Sequence, residues 1–356
     1  MRILVINPGS TSTKLAVFED GKIAKQTTLR HESEEISKFD KIADQYEFRY
    51  KVIIEFLKNE NYKLESFDAI VGRGGLLHPI PGGTFLVNED MLEDLKSAKY
   101  GEHASNLGAI LANEIAKKIG KPAYIVDPVV VDEMMDIARL SGMPELPRKS
   151  ILHALNQRAV AYKVAKDLGK EYKECNFIVV HMGGGISVGA HMNGRIVDVN
   201  NALDGDGPFT PERSGNVPVT SLLKMCFSGK YTQKEILKKI KGKGGLVAYL
   251  GTNSTLEVEN KVKAGDKKFK EVYEAMAYQV SKWIGKTSAI FKGKVDAIIL
   301  TGGVAYDKDF CSWIKERTSF IAPIKVVPGE MEMEALAEGA VRVLEGREKA
   351  LTYEKN

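Results

Sequence analysis

Short apolar runs bounded by glycine or polar residues alternate with stretches of helical period along the whole chain. Ile3–Ile6, Ala123–Val126, the run from Phe177 and Ala297–Leu300 predict buried strands. Thr84–Val87 reads as another strand, Glu89–Ser97 as a helix, and Asn106–Ile119 as a helix closed by Gly120. Pro144, Pro147 and Ser150 interrupt the pattern ahead of a helix over 151–168. Helices fill 221–239 and 267–291, and Glu332–Glu345 is a last helix expected to cross back to the first domain. These breaks predict two domains, 1–149 plus 332–356 and 150–331.

The first apolar strand runs straight into Asn7-Pro-Gly-Ser-Thr-Ser-Thr-Lys14. A hairpin of this kind presents donors to a phosphate: Gly9 permits close backbone approach, while Ser10, Ser12 and Lys14 add hydrogen bonds and charge. The unit recurs as Phe177-Ile-Val-Val-His-Met-Gly-Gly-Gly-Ile-Ser-Val-Gly-Ala-His-Met-Asn-Gly-Arg-Ile196. From Asn7 to Gly21 is 14 positions and from His181 to Gly194 is 13, and each copy ends on a Gly-basic-Ile step. A repeated supersecondary unit predicts two similar domains facing each other, with a nucleotide held in the cleft.

Composition narrows the class. The chain has 356 residues, 44% hydrophobic and 28% charged, with a formal charge of +4, which is too weak and too dispersed to predict nucleic-acid binding. Cys175, Cys226 and Cys311 lack metal-ligand spacing and fit a reduced cytoplasm. The N-terminal apolar run is too short for a signal peptide, and no stretch approaches a membrane span.

Neither a G-x-x-x-x-G-K-[ST] loop, nor the protein-kinase motif set, nor a G-x-G-x-x-G opening a helix occurs. Phosphoryl transfer would therefore rely on the glycine hairpins. That architecture, with Leu300-Thr-Gly-Gly-Val304, resembles the superfamily of acetate kinases, sugar kinases, actin and the large heat-shock chaperones. Asn7–Lys14, Gly72-Arg-Gly-Gly75, Gly101-Glu-His-Ala-Ser-Asn-Leu-Gly108, Val126-Asp-Pro128, Ile151-Leu-His-Ala-Leu-Asn-Gln157, His181-Met-Gly-Gly-Gly185, Pro211-Glu-Arg-Ser-Gly215 and Thr301-Gly-Gly303 together resemble the acetate and butyrate kinase family, and within it the butyrate branch.

The resemblance implies an α/β fold of two duplicated ribonuclease H-like (actin-like ATPase) βββαβαβα domains flanking a nucleotide cleft. The first domain would handle the acyl substrate and phosphoryl group, the second the nucleotide, and closure would join them. It implies transfer of the ATP γ-phosphoryl group to a short-chain carboxylic acid, giving acyl phosphate and ADP, with Mg2+ and in at least a homodimer. A carboxylate is already ionised at neutral pH, so no general base is needed; catalysis must position two anions and neutralise an in-line transition state. By the same resemblance Arg73 and Arg213 grip carboxylate and phosphoryl group, His153 hydrogen-bonds the phosphoryl oxygens, and His103 lies near the acyl substrate. Asp127 is a magnesium ligand or holds an arginine, and Glu334 is the magnesium-linked candidate, although Glu330 and Glu332 stand beside it in sequence. Asn7, Ser10, Ser12 and Lys14 act on the phosphoryl group; His181, Gly183, Gly184 and Gly185 cradle phosphates; Gly302 and Gly303 approach the adenosine. Gly74 and Gly75, where acetate kinases carry bulkier residues, are expected to deepen the pocket for butyrate or isobutyrate.

Gly185-Ile-Ser-Val-Gly189 also matches the G-x-S-x-G pattern of serine hydrolases. After Ser187 the only histidine is His191, four residues on with no acid between, and the segment reads as a hairpin rather than a strand-to-helix elbow. A non-catalytic member of the superfamily would lack the set Arg73, His153 and Arg213. A sugar kinase would need a base, for which Asp127 is available, so only the family resemblance favours the carboxylate.

Overall fold

The computed structural model describes residues 1–356, the side chain of Ser33 excepted. Two compact units form, Met1–Val131 with Met331–Asn356, and Asp132–Glu330. The first carries β1 (Arg2–Pro8), β2 (Ser12–Glu19), β3 (Lys22–Arg30), β4 (Ala69–Arg73), β5 (Thr84–Leu86) and β6 (Ala123–Val126). The second carries β7 (Asn176–Met182), β8 (Ile186–Met192), β9 (Arg195–Val199), β10 (Ala297–Gly302) and β11 (Ile324–Pro328). Helix Glu332–Leu344 and β12 (Leu351–Thr352) complete the first unit.

Each unit repeats one topology. In the first, β1, β2 and β3 form an antiparallel meander, β4 joins β1 in parallel, and β6 joins β4 in parallel. In the second, β7, β8 and β9 form the meander, with β10 parallel to β7 and β11 parallel to β10. This is the duplicated ribonuclease H-like α/β organisation expected from the sequence; β5 and β12 extend the first sheet beyond β6. The central strands β1, β7 and β10 are buried on both faces, which explains why they read as continuous apolar runs. Edge strand β3 has no buried residue.

Helix Asn106–Ile119 ends as expected on Gly120, in the left-handed region at φ 63°. It lies close to β4: a Cβ on Gly72 would collide with the Gly108 carbonyl, and one on Gly108 with the backbone of Arg73. Two glycines thus set the height of Arg73 above the helix.

Several boundaries differ from the sequence reading. The helix expected from residue 151 starts at Ala154 and leaves His153 at its N-cap position. The 221–239 stretch divides into Val219–Cys226 and Gln233–Ile240, the second opened by a capping box between Thr232 and Glu235. Residues 132–149 belong to the second unit: Met135 N–H donates to Val197 O (2.9 Å), and Arg148 pairs with Asp198 (2.8 Å) and donates to Val199 O (2.9 Å). Helices Tyr46–Asn59, Thr255–Lys263 and Lys308–Thr318 lie outside the elements the sequence pattern predicts above, although Ser254 and Asp307 cap the last two. Among the described residues no helix is long and apolar enough to cross a membrane, and all three cysteines are free.

Candidate active site

In the first unit Asn7 and Lys14 face each other across the mouth of the β1–β2 hairpin. Gly9 N–H donates to Ser12 O (2.7 Å) and closes the turn. Beneath it lies Arg49, fully buried on helix Tyr46–Asn59. Its guanidinium donates to the carbonyls of Gly9 (2.8 Å), Ser10 (3.0 Å) and Ser12 (3.0 Å), to Thr13 Oγ1 (3.2 Å) and to Gln45 Oε1 (2.9 Å). Because N–H and C=O of a trans peptide point in opposite directions, drawing the Gly9 and Ser10 carbonyls inward turns the Ser10 and Thr11 N–H groups outward. The loop can therefore present donors to an anion. Burial lowers the Arg49 pKa to about 10, so it remains a cation at neutral pH. Sequence reasoning missed this residue, whose partners are mostly backbone carbonyls.

Arg73, at the end of β4, forms an ion pair with Glu332, the first residue of the last helix, and Asn7 Nδ2 donates to the other Glu332 oxygen (3.0 Å). Asn7 and Arg73 are thus brought together by Glu332. Glu334, the expected magnesium-linked residue, is on the exposed face of that helix because two helical residues are separated by about 200°; Glu330 lies in the second unit, 3.7 Å from His181. His103 Nδ1 meets Ser105 Oγ (2.8 Å) and accepts the Ser105 N–H (3.2 Å), and partial burial of its ring, with the Arg73 charge, lowers its pKa. Buried Asp127, at φ 39°, accepts the Gly83 N–H on Oδ1 (2.8 Å).

Gly74 and Gly75 are closely approached by neighbouring protein atoms. A Cβ on Gly74 would fall 2.5 Å from Pro128 Cβ, and one on Gly75 2.6 Å from Asn106 Cα and 2.8 Å from Leu95 Cδ2. The space in each Cβ direction is thus taken by Pro128, Asn106 and Leu95.

In the second unit the β7–β8 turn is closed by Gly183 N–H on Gly185 O (2.9 Å), and Thr210 Oγ1 donates to Gly184 O (2.6 Å). The Arg213 guanidinium lies against Gly185, where a Cβ would collide with it. Its NH1 donates to Ala202 O, its Nε is buried with no hydrogen-bond partner, and it has no carboxylate ion-pair partner among the described residues. Burial lowers its pKa, against the opposing pull of Glu212 and Asp204. His153 and His181 stack at 3.9 Å with rings 10° apart. Asn156 Nδ2 donates to His181 Nδ1 (2.9 Å) and Thr301 Oγ1 (3.1 Å), and Thr301 Oγ1 donates to Gly329 O (3.1 Å). Gly302, at φ 88°, passes so near Met182 that a Cβ would strike its carbonyl, whereas Gly303 faces open space. Ser187 is in β8, inside a hairpin, which is incompatible with the hydrolase elbow.

Comparison with known proteins decides the family. The model for the Acetokinase family matches residues 146–326. A relative named Butyrate kinase 2, from Clostridium acetobutylicum, is 60% identical over 352 residues, covering 99% of both chains. A probable butyrate kinase from Listeria monocytogenes is 54% identical over 351 residues, again 99% of both.

The chain belongs to the acetokinase family.

Solved structures of the fold include the acetate kinase of Porphyromonas gingivalis, with TM-score 0.78 at 19% identity, covering 96% of this chain and 99% of that one. A propionate kinase from Francisella tularensis gives 0.73 at 20%, covering 95% and 98%. In the first unit Asp127 and Glu332 offer carboxylate oxygens of the kind a magnesium ion takes. Such ions in nucleotide sites commonly use one or two carboxylates and complete their shell with phosphates and water. No group of three or more His, Cys, Asp or Glu able to hold a metal stands together among the described residues.

Proposed function

We propose that this chain transfers the γ-phosphoryl group of ATP reversibly to the carboxylate of a short-chain fatty acid, butyrate or a branched acid such as isobutyrate, giving acyl phosphate and ADP. The observation that carries the reading is Arg213: a guanidinium held against a glycine turn, one nitrogen unsatisfied, with Glu212 and Asp204 acting on it only at a distance and no carboxylate ion-paired to it among the described residues. Burying such a cation is costly unless an anion arrives. A phosphoryl group in transit is that anion.

The residues divide the work. Gly183–Gly185 cradle the nucleotide phosphates, and Gly302 and Gly303 admit the adenosine. Arg213 and His153 meet the charge that develops on the transferring group. Asn7, Ser10, Ser12 and Lys14 of the first unit offer donors to a phosphoryl group, with Arg49 holding their loop open. Arg73 and His103 bind the acid. Because Glu332 already pairs with Arg73, acid binding competes with an internal carboxylate, which orients the guanidinium before substrate arrives. Asp127 and Glu332 would hold Mg2+, which would supply neutralisation of the phosphate charge. Preference for a four-carbon acid rests on the high identity to relatives named butyrate kinase.

A homo-oligomer, at least a dimer, is supported by helix Val219–Cys226, which has no buried residue although Val219 and Leu223 lie on it and Phe227 follows, 84% exposed. The three free cysteines suit the cytoplasm.

The test is hydroxylamine trapping of acyl phosphate from Mg-ATP with acetate, propionate, butyrate, isobutyrate or glycerol offered separately. Hydroxamate formation should be highest with butyrate or isobutyrate. No product with any acid would refute the carboxylate-kinase reading.

A further inference from the structure

The segment Gly185–Gly189 and His191, unusable as a hydrolase site, form part of a different device. Ser187, Gln157 and His191 are fully buried and Tyr172 nearly so. Gln157 Nε2 donates to the Ser187 carbonyl (3.1 Å) and to Ser187 Oγ (2.7 Å). A carbonyl only accepts, so the amide orientation is fixed and Oε1 faces the other way. There it lies 2.9 Å from His191 Nε2, which must therefore carry a hydrogen. Burial, with the Arg158 charge, pushes the His191 pKa down to about 3, so the ring is neutral and Nδ1 is bare. Nδ1 accepts the Tyr172 hydroxyl at 2.7 Å. At the other end Ser187 Oγ, already accepting from Gln157, has one hydrogen to give, and His153 Nδ1 is 3.0 Å away. His153 then keeps its own hydrogen on Nε2. Gly189 makes room for the arrangement, because a Cβ there would collide with Gln157 Oε1.

We propose that Ser187 is a positioning residue, the last link of a buried one-way donor chain from Tyr172 through His191 and Gln157, and that it locks His153 as the neutral tautomer with its hydrogen on Nε2. The inference rests on the reading of His153 as a donor to phosphoryl oxygens. The opposite tautomer would turn a lone pair toward those oxygens and repel them. The partner ring obeys the same rule: Asn156 donates to His181 Nδ1, which leaves that hydrogen on Nε2 as well. Two neutral rings can stack at 3.9 Å where two cations would repel.

The experiment uses full-length protein with 15N-labelled histidine, the six ring spin systems being assigned with a His153→Gln variant, and is paired with steady-state kinetics. In the wild type His153 Nε2 should show the protonated shift and Nδ1 the acceptor shift. Ser187→Ala should mix the two tautomers and lower kcat about five- to tenfold with KM for ATP and acid unchanged. Tyr172→Phe, at the far end of the chain, should give a smaller shift in the same direction. A wild-type His153 protonated on Nδ1, or a Ser187→Ala protein with unaltered tautomer and kcat, would overturn the proposal. If His153→Gln leaves kcat intact, the donor role of His153 fails, while the tautomer spectra still decide separately whether the chain sets the ring.

Discussion

The β1–β2 turn of the first unit and the β7–β8 turn of the second join equivalent strands, and each has an arginine against it, but the two arginines are used differently. Arg49 is fully buried and spends its donors on loop carbonyls, a threonine hydroxyl and Gln45. Arg213 is half-buried, makes one hydrogen bond to a carbonyl and leaves Nε unsatisfied beside a turn held by Thr210. The same residue type therefore serves as internal scaffold in one hairpin and as a reserved charge in the other. An arginine whose hydrogen bonds are complete stabilises the fold; one whose bonds are incomplete lowers stability and is retained for a ligand.

The largest effect that separates the two is on turnover. Arg213→Ala should lower kcat/KM about a thousandfold, the scale of losing a preorganised oxyanion donor, with urea unfolding unchanged within about 1 kcal/mol because no completed bonding set is lost. Arg49→Ala should instead cost about 4 kcal/mol of stability, since several buried acceptors lose their donor together, and slow turnover as a consequence. Equal destabilisation by both would erase the distinction.

Acid should sharpen it. Each hairpin rests on a buried neutral histidine: His31, 2.8 Å from Thr13 Oγ1 in the first unit, has its pKa lowered to about 4 by burial and by Arg49, and His191 in the second is lowered to about 3. Both folded values lie below the ordinary 6.5, so the unfolded chain takes up the proton first. Stability is complete above pH 6.5 and drains as pH falls toward 4 for His31 and toward 3 for His191, by about 3 and about 5 kcal/mol respectively at the limit. Trp283 and Trp313 both lie in the second unit, so their fluorescence follows its unfolding, while hydrogen exchange of β1 and β2 follows the first. His31→Gln should flatten the pH dependence of β1–β2 exchange only; a flattening in both units would contradict separate assignment.

A smaller effect is expected from Gly74→Ala. The new methyl meets Pro128, so the variant should lose about 2 kcal/mol in unfolding experiments, with the ratio of butyrate to acetate turnover unaltered. A changed ratio would assign this glycine a pocket role.

Strands β1, β5, β6, β7 and β10 and the helix Asn106–Ile119 were legible because continuous apolar runs, helical period and a terminal glycine are local signals. The duplicated hairpin was legible for the same reason, whereas the order of strands in each sheet followed only from the family resemblance. Arg49 was not, since carbonyl partners leave no side-chain trace in a sequence. The choice among Glu330, Glu332 and Glu334 needed the start and phase of a helix, which three glutamates spaced by two do not define. Gly74 and Gly75 were visible as small residues, but what fills the space beside them depends on Pro128, Asn106 and Leu95 folding against them. Ser187 and His191 were noticed for the wrong reason: their proximity is structural, and the hydrogen they pass on ends at His153.

The most direct test of the reserved-charge assignment is single-turnover phosphoryl transfer from ATP to butyrate by Arg213→Ala protein, with and without added guanidinium ion. Transfer should be slow and accelerate saturably with guanidinium, with no such acceleration in Arg49→Ala. Transfer at the wild-type rate by Arg213→Ala, without any guanidinium, would contradict the assignment.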